Sequence, residues 1–433
     1  MWRGTSTTSG GPMSTGPGGG GVAHLSTRAA LLDVIRGAGT ISRVELTRAT
    51  GLTGATVSTV VRRLIDDGLV VETGRAESTG GKPAVLLALD PDARFAIGVH
   101  LDHSGITYVL ANLGGSIVGR WRRPGAGADA PDEVVARVGT ELRTFVAQVG
   151  VDADRIVGLG VVSPGPLGGS VAGSGGMALA PPPMQAWTDF PLSDALHDAT
   201  GLPVMLENDA TAAAVGEYWS GSREADRSFA AIYMGTGIGA GVMVRGDLYR
   251  GASSNTAEIG HICVQVDGPP CWCGSDGCVE ALAGPAASVS AARQAGIELP
   301  GIGVAEDFAA LARAALAGTE PAVQIVEHSA RYVAVAVQAL ANIMDLDLVV
   351  LTGPSFAHAG SLYVPAIQQR LVRGFFARAS HPVEVVISTH ASESAAIGGA
   401  ALVLQSELAP RASSAVSPVR ALPGAPGVRI AQV

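Results

Sequence analysis

The chain is 433 residues long, enough for two or three domains with sizeable cores, and its net charge is -9. Charged residues make up 15% against 47% hydrophobic, yet no apolar run is long enough to span a bilayer, and the first residues lack the charged-then-apolar order of a secretory signal. A membrane protein and a secreted disulfide scaffold are thereby excluded, and a soluble cytoplasmic chain with no membrane partner is expected.

The charge is uneven. Residues 1–90 hold nine Arg/Lys against seven Asp/Glu, whereas residues 91–433 hold twenty against thirty-one. A neutral-to-basic head on an acidic body suits a nucleic-acid reader joined to a ligand-binding domain. Residues 1–23 are Gly, Ser, Thr and Pro with almost no apolar content, which predicts a disordered tail, and residues 409–433 read the same way. From Ser26 the spacing of Ala30, Leu31, Val34 and Ile35 predicts a helix ended by Gly37 and Gly39. A short second helix over 43–50, with Val44, Leu46 and Ala49 inward, is broken by Gly51. Thr53 is a candidate N-cap for a third helix whose buried stripe is Val57, Val60, Val61, Leu64 and Ile65. Thr53, Ala55, Thr56, Ser58 and Thr59, near its start, are candidates for base edges. Arg62 and Arg63 suit phosphates. Two apolar segments, 69–72 and 84–89, predict a β-hairpin wing whose tip carries Arg75 and Lys82, both phosphate candidates. A small helical oligomerisation module is the alternative. The order helix, turn, helix, hairpin favours a winged helix-turn-helix over residues 24–90 that binds double-stranded operator DNA.

At Phe95 the pattern changes. Three strands, a helix over 132–149 and a buried strand ending at SPGP give a β-β-β-α-β order. A second strand–turn–strand unit begins at Arg227. Helices follow from about 285 to 344, then a strand at DLVVL, a helix over 363–379, a strand at VEVVI and a closing helix over 393–408. This predicts an α/β body over 91–408 made of two actin-like (ribonuclease H-like) lobes facing a cleft, where small ligands bind.

All four cysteines lie between Glu258 and Glu280, in EIGHICVQVDGPPCWCGSDGCVE. Cys271, Cys273 and Cys278 fall within eight residues, with His261 ten residues upstream. One imidazole and three thiolates complete a tetrahedral set for a structural zinc. A disulfide with spare thiols is disfavoured in a cytosolic chain. Cys263 is expected to be a structural thiol in an apolar strand-like run. Glu258 and Glu280 bracket the loop, and a zinc that folds it would also position them; as acids on a loop they read equally as solvated surface.

Two further motifs bear on ligands. In LENDATAAAVGE (206–217) Asn208 and Asp209 sit at a strand-to-helix corner, where Asn can grip hydroxyls and Asp209 can accept a hydroxyl proton. An Asx cap without ligand explains that pair equally well. In MGTGIGAG (234–241) a glycine-rich turn could approach phosphate, although any tight hairpin uses glycine.

Taken together, AEIGH (257–261), CWCGSDGC (271–278) with Glu280, ENDATAAAVGE (207–217) and MGTGIGAG resemble the ROK family of sugar kinases and sugar-responsive repressors, over about residues 25–405. The resemblance implies zinc on His261, Cys271, Cys273 and Cys278. It implies a sugar held by Asn208, Asp209, Glu258, His261 and Glu280, with Asp209 as the base if the chain is a kinase. The departures point away from catalysis. Where the family's kinases carry an Asp-x-Gly-Gly-Thr phosphate loop, this chain has His100, Asp102, His103 and Ser104, adding bulk and an anion. Pro354 stands where a second glycine is usual near the adenosine. In PPPMQAW (181–187), Pro183 falls where a sugar-reading Asn is usual. The expected function is a DNA-binding regulator, a repressor, controlled by a sugar or sugar derivative, acting as a dimer or tetramer. An ATP-dependent sugar kinase with a fused DNA-binding domain is the alternative.

Overall fold

The computed structural model describes residues 27–76, 83–168, 176–220 and 227–408. The expected tails and Lys82 lie outside the described residues.

The N-terminal unit opens with α1 (Thr27–Ala38), β1 (Thr40–Ser42), α2 (Arg43–Thr50) and α3 (Gly54–Asp66). Helix α2 starts on a capping box: the Ser42 hydroxyl accepts from the Glu45 N–H, and the Glu45 carboxylate accepts from the Ser42 N–H at 2.8 Å. It ends at Gly51, whose φ of 67° is the left-handed stop that glycine takes without strain. The Thr53 hydroxyl caps α3 by accepting from the Thr56 N–H. Leu31, Leu32, Ile35, Leu46, Val57, Val61 and Leu64 close the core of this unit. Val44 does not join them and is 56% exposed, and Ala49 also faces solvent. Residues two apart on a helix point to opposite sides, so burying Leu46 turns Val44 outward. Strands β2 (Val70–Arg75) and β3 (Val85–Leu89) form the wing; β1, which the apolar pattern did not announce, extends it to a sheet of order β1-β3-β2.

The body has two lobes. The first comprises β4 (Phe95–Leu101), β5 (Gly105–Asn112), β6 (Ile117–Pro124), α4 (Pro131–Val149), β7 (Ile156–Ser163), α5 (Leu192–Thr200), β8 (Val204–Asn208) and α6 (Asp209–Ser220). The second comprises β9 (Phe229–Met234), β10 (Ile238–Val244), β11 (Asp247–Tyr249), α7 (Val279–Ala283), α8 (Pro285–Gln294), α9 (Val304–Leu316), α10 (Glu320–Met344), β12 (Leu348–Thr352), α11 (Pro354–Gly374), β13 (Glu384–Ile387) and α12 (Ser394–Leu408). The sheets run β6-β5-β4-β7-β8 and β11-β10-β9-β12-β13. In both, the first strand of the lobe is antiparallel to the second and parallel to the fourth. This is the expected duplicated actin-like arrangement, carried by topology rather than by sequence repetition.

Two helices depart from expectation. The sequence reading did not mark α5, and α11 spans Pro354–Gly374 instead of 363–379. Pro354 sits in the first turn, where a missing N–H costs nothing and the fixed φ starts the helix.

The lobes exchange helices. Helix α6 leaves the first sheet and packs on β9 and β10, while α12 leaves the second and packs on β4 and β7. The two helices cross at small residues: a Cβ on Gly398 would stand 1.7 Å from the Ala212 carbonyl oxygen. Glycine is required there because backbone meets backbone.

Candidate functional site

The metal loop runs from the turn at Ile259–His261 into the start of α7. His261, Cys271, Cys273 and Cys278 bring their ligand atoms within 4.8 Å of one another. His261 Nδ1 is 3.5 Å from Cys271 Sγ, and Cys273 Sγ is 3.7 Å from Cys278 Sγ. Tetrahedral zinc with bonds of about 2.0–2.3 Å needs donors roughly 3.5–3.8 Å apart, so the cluster fits a metal of that kind. All four cysteines are free. Gly277, at φ 63°, lets the chain turn against Gln265, whose carbonyl oxygen would lie 1.7 Å from a Cβ. Cys263 corrects an expectation: it is exposed. Its neighbours Ile262 and Val264 pack on the second lobe's core, and alternation along an extended run turns Cys263 outward.

With Nδ1 turned to the sulfurs, His261 lines a cavity of about 600 Å³ between the lobes, together with Asn208, Asp209, Glu258 and Glu280. That size suits a small ligand. The cavity thus brings together every residue proposed for the sugar. Each has local duties as well. Asn208 Oδ1 accepts from the Thr211 N–H at 3.0 Å, so the Asx cap is real, while its amide donates to the Gly165 carbonyl oxygen at 3.4 Å on the cleft wall. Asp209 Oδ1 accepts from the Ala210 N–H, and Oδ2 lies 3.8 Å from His100 Nε2. Glu280 accepts from the Trp272 indole N–H at 2.7 Å and the Ile238 N–H at 2.8 Å. Trp272 in turn meets His261 edge-on at 5.0 Å between ring centroids. Pro183 also lines the cavity, with no amide to offer a hydroxyl.

Burial, then the charges of Asp209 and Glu280, push the Glu258 carboxyl up to about 7. Three acids facing one cavity repel each other and any phosphate, and they offer acceptors to neutral hydroxyls. The residue before Glu258, Ala257, holds a φ of 58°, a left-handed backbone that costs a non-glycine of order 1 kcal/mol or more. A raised carboxyl pKa removes stability as pH climbs from the ordinary carboxylate range through about 7. Glu258→Gln is therefore expected to stabilise the ligand-free protein by on the order of 1–3 kcal/mol at pH 8 and by much less at pH 5.5. Thermal unfolding at both pH values checks this, and an equal gain at the two would refute the raised carboxyl pKa.

The loop after β4 is closed on itself. Asp102 is buried; its carboxylate accepts from the His103 N–H at 2.7 Å and the Ser104 hydroxyl at 2.9 Å. The donors of this turn are thus taken up by the protein's own anion. His100, also buried, points to Asp209 and stands 3.3 Å from the Tyr233 hydroxyl. Burial and the nearby charges of Asp209 and Asp102 hold that hydroxyl protonated, and it shares a hydrogen bond with the imidazole whose direction follows the His100 tautomer. The glycines of MGTGIGAG have packing reasons: a Cβ on Gly237 would meet Glu280 at 2.7 Å, and one on Gly239 would meet Ala210 at 2.9 Å. They admit the close approach of Glu280 and α6.

On the N-terminal unit, Thr53, Ala55, Ser58, Thr59, Arg62 and Arg63 are exposed along one side of α3, with Thr56 half-buried. Thr53 and Thr56 share a hydroxyl contact at 2.9 Å. Arg75, on β2, is also exposed. None of these arginines makes an ion pair among the described residues. The sequence reading missed Tyr233, Trp272, Arg250 and Asn255. Arg250 pairs with the buried Glu207, and Asn255 exchanges two hydrogen bonds with Leu167 at 2.8 and 3.1 Å, tying the second lobe to the first beside the cavity. No motif flags residues whose role is to bridge segments 43 and 88 positions apart.

Comparison with known proteins agrees with this architecture. Residues 26–78 match the MarR family and residues 96–406 match the ROK family. A xylose repressor from Caldicellulosiruptor bescii is 26% identical over 380 residues, spanning 85% of this chain and 92% of the relative. The solved structure of a ROK family transcriptional regulator, a homolog of the E. coli MLC protein, aligns with a TM-score of 0.72 at 26% identity, covering 89% of this chain and 97% of that one. A ROK family glucokinase from Streptomyces griseus, solved with glucose and AMPPNP, aligns with a TM-score of 0.60 at 26% identity over 71% of this chain and 98% of that one. With a family match over nearly the whole two-lobed body, a MarR-like winged helix ahead of it and a histidine–cysteine cluster beside the cleft, the chain belongs to the ROK family.

Proposed function

We propose that this protein is a sugar-responsive transcriptional repressor: a winged helix-turn-helix, about residues 24–90, reads operator DNA, and a zinc-braced cleft in residues 91–408 binds an unphosphorylated sugar that weakens DNA binding. The observation that carries the reading is the pairing of an intact hydroxyl-binding wall with a self-satisfied 102–104 loop in a chain that also presents an exposed recognition helix. Asn208, Asp209, Glu258 and Glu280 supply acceptors and an amide for sugar hydroxyls, and His261 offers its Nε2 while its Nδ1 takes the metal. The xylose repressor among the relatives makes D-xylose the first sugar to test. A structural zinc supplies no chemistry to the ligand; it fixes the loop that carries Glu258 and Glu280. Reading a two-fold operator calls for at least a dimer, and the site of action is the cytoplasm, where the operator is. Among the described residues no helix is long and apolar enough to cross a membrane.

Asp209 keeps the position of a kinase base, which favours the alternative of a sugar kinase; the occupied loop at Asp102 favours binding alone. Two assays decide. Gel-shift titration on the gene's own upstream DNA, with D-xylose, D-glucose and N-acetylmannosamine, is expected to show release by one of them. A coupled assay with the same sugars is expected to show no ATP turnover, and sugar-dependent turnover lost in Asp209→Asn would overturn the binding-only reading. For the DNA face, Arg62→Ala is expected to weaken binding alike on operator and unrelated DNA and to lower the salt slope by about one. A loss confined to the operator would assign Arg62 to a base instead.

A further inference from the structure

Helix α6 joins the two ends of this molecule. Its first residue, Asp209, lines the cavity; its eleventh, Trp219, touches the DNA-binding unit about 15 Å away along the helix. Ten of its twelve residues are buried, and its sides are small. Ala210 lies on Gly239 and Gly241 of β10, and Ala212 and Gly216 lie on Gly398 and Ser394 of α12. A helix so packed moves as a body, because small smooth contacts let packed elements shear while the helix itself resists bending.

At the far end, the Arg36 guanidinium of α1 donates to the Trp219 carbonyl oxygen at 3.1 Å and stacks 4.1 Å above the centre of the Trp219 ring. Trp219 is 3% exposed, so the contact sits largely out of water, where a cation over an indole gains most. The joint is incompletely satisfied: among the described residues the Trp219 indole N–H and Arg36 Nε have no hydrogen-bond partner, Asp33 lying 3.7 Å from the latter. Buried donors left unpaired cost energy, so a second arrangement of this contact can compete with the one seen. On the other side of Arg36, Leu31, Leu32 and Ile35 of α1 share one core with Val57, Val61 and Leu64 of the recognition helix, so a shift of α1 carries α3 with it.

We propose that α6 is the rod, and the Arg36–Trp219 contact the joint, through which occupancy of the cleft changes the placement of the recognition helix. This rests on the sugar-responsive repressor reading and assigns its coupling to particular residues. Arg36 and Trp219 touch neither sugar nor DNA; they are positioning residues, and their signature is loss of coupling with both affinities kept.

The test uses the full-length protein, operator DNA and the sugar from the panel that releases it, with D-xylose first. Operator affinity is measured with and without saturating sugar, and sugar affinity by calorimetry, for wild type, Arg36→Ala, Arg36→Lys and Trp219→Phe. Arg36→Ala is expected to hold both separate affinities within about threefold while the sugar-induced weakening, typically about 5–150-fold in such systems, falls to within about twofold of none. Arg36→Lys, which keeps the charge without the planar stack, is expected to fall between. Reciprocity requires the effect of DNA on sugar affinity to shrink by the same factor. A full wild-type response in Arg36→Ala overturns the joint alone. A wild-type protein whose operator affinity ignores every sugar overturns the repressor reading and the joint with it.

Discussion

Cys278→Ser is expected to abolish metal binding and to unfold the loop from Glu258 to Glu280, not merely to weaken a ligand site. Cys278 is fully buried at the start of α7, and its sulfur faces both Cys273 Sγ and the His261 carbonyl oxygen. Burial first, then the neighbouring thiols, push the metal-free Cys278 thiol up to about 12, and burial raises Cys271 as well, so without an ion these two sulfurs stay protonated with little else to order them. The loop has almost no regular structure of its own, only short turns and isolated bridges. Structural zinc contributes about 10–16 kcal/mol to the folding of zinc-finger peptides, and even a small part of that exceeds what this loop can replace. The expected result is a metal content falling from about one ion per chain to none, a lower Tm, and sugar binding lost with the displaced Glu258 and Glu280. Elemental analysis and thermal unfolding check it. A metal-free protein that stays folded and sugar-responsive would refute the brace.

Asp209→Asn should have the opposite profile: a protein as stable as wild type that binds sugar about 10–100-fold more weakly. The amide oxygen can keep the Ala210 N–H bond that Asp209 Oδ1 makes, so α6 retains its start. The other side, now an NH2, turns a hydroxyl acceptor into a donor and removes a charge. A hydrogen bond to a charged group is worth about 1.5–3 kcal/mol, which sets that range. Calorimetric titration measures it. Unchanged affinity would mean that Asp209 serves only the helix and His100.

Much of this was legible in the chain. The helix-turn-helix was written in local terms: the Thr53 cap, the Gly51 stop and the 3.6-residue stripe of α3 each depend on neighbours a few positions apart. The candidate metal cluster was legible because cysteines within eight residues can reach one ion whatever the rest of the fold does. Local reasoning failed where position decided. Val44 and Cys263 are apolar residues turned outward by the burial of their neighbours, and α5 and β1 are short elements whose stability comes from what they pack on.

Short-range chemistry was enough to specify the winged helix, the strand and helix order of the doubled α/β body, and the cluster of one histidine and three cysteines; the departures at His100, Asp102, Pro183 and Pro354 were visible only against the ROK family pattern that the chain resembles. Caps, periodicity and ligand spacing act within a turn or two of chain, so a linear reading reaches them. Three features came from packing instead: the Asp102 carboxylate closes its own loop, burial of Glu258 beside Asp209 and Glu280 raises its pKa, and α6 runs from the cavity to Arg36. Arg36 and Trp219 are 183 residues apart in the chain, and nothing in either segment announces the other. Their meeting is fixed by the exchange of α6 and α12 between lobes, a property of the packed core as a whole.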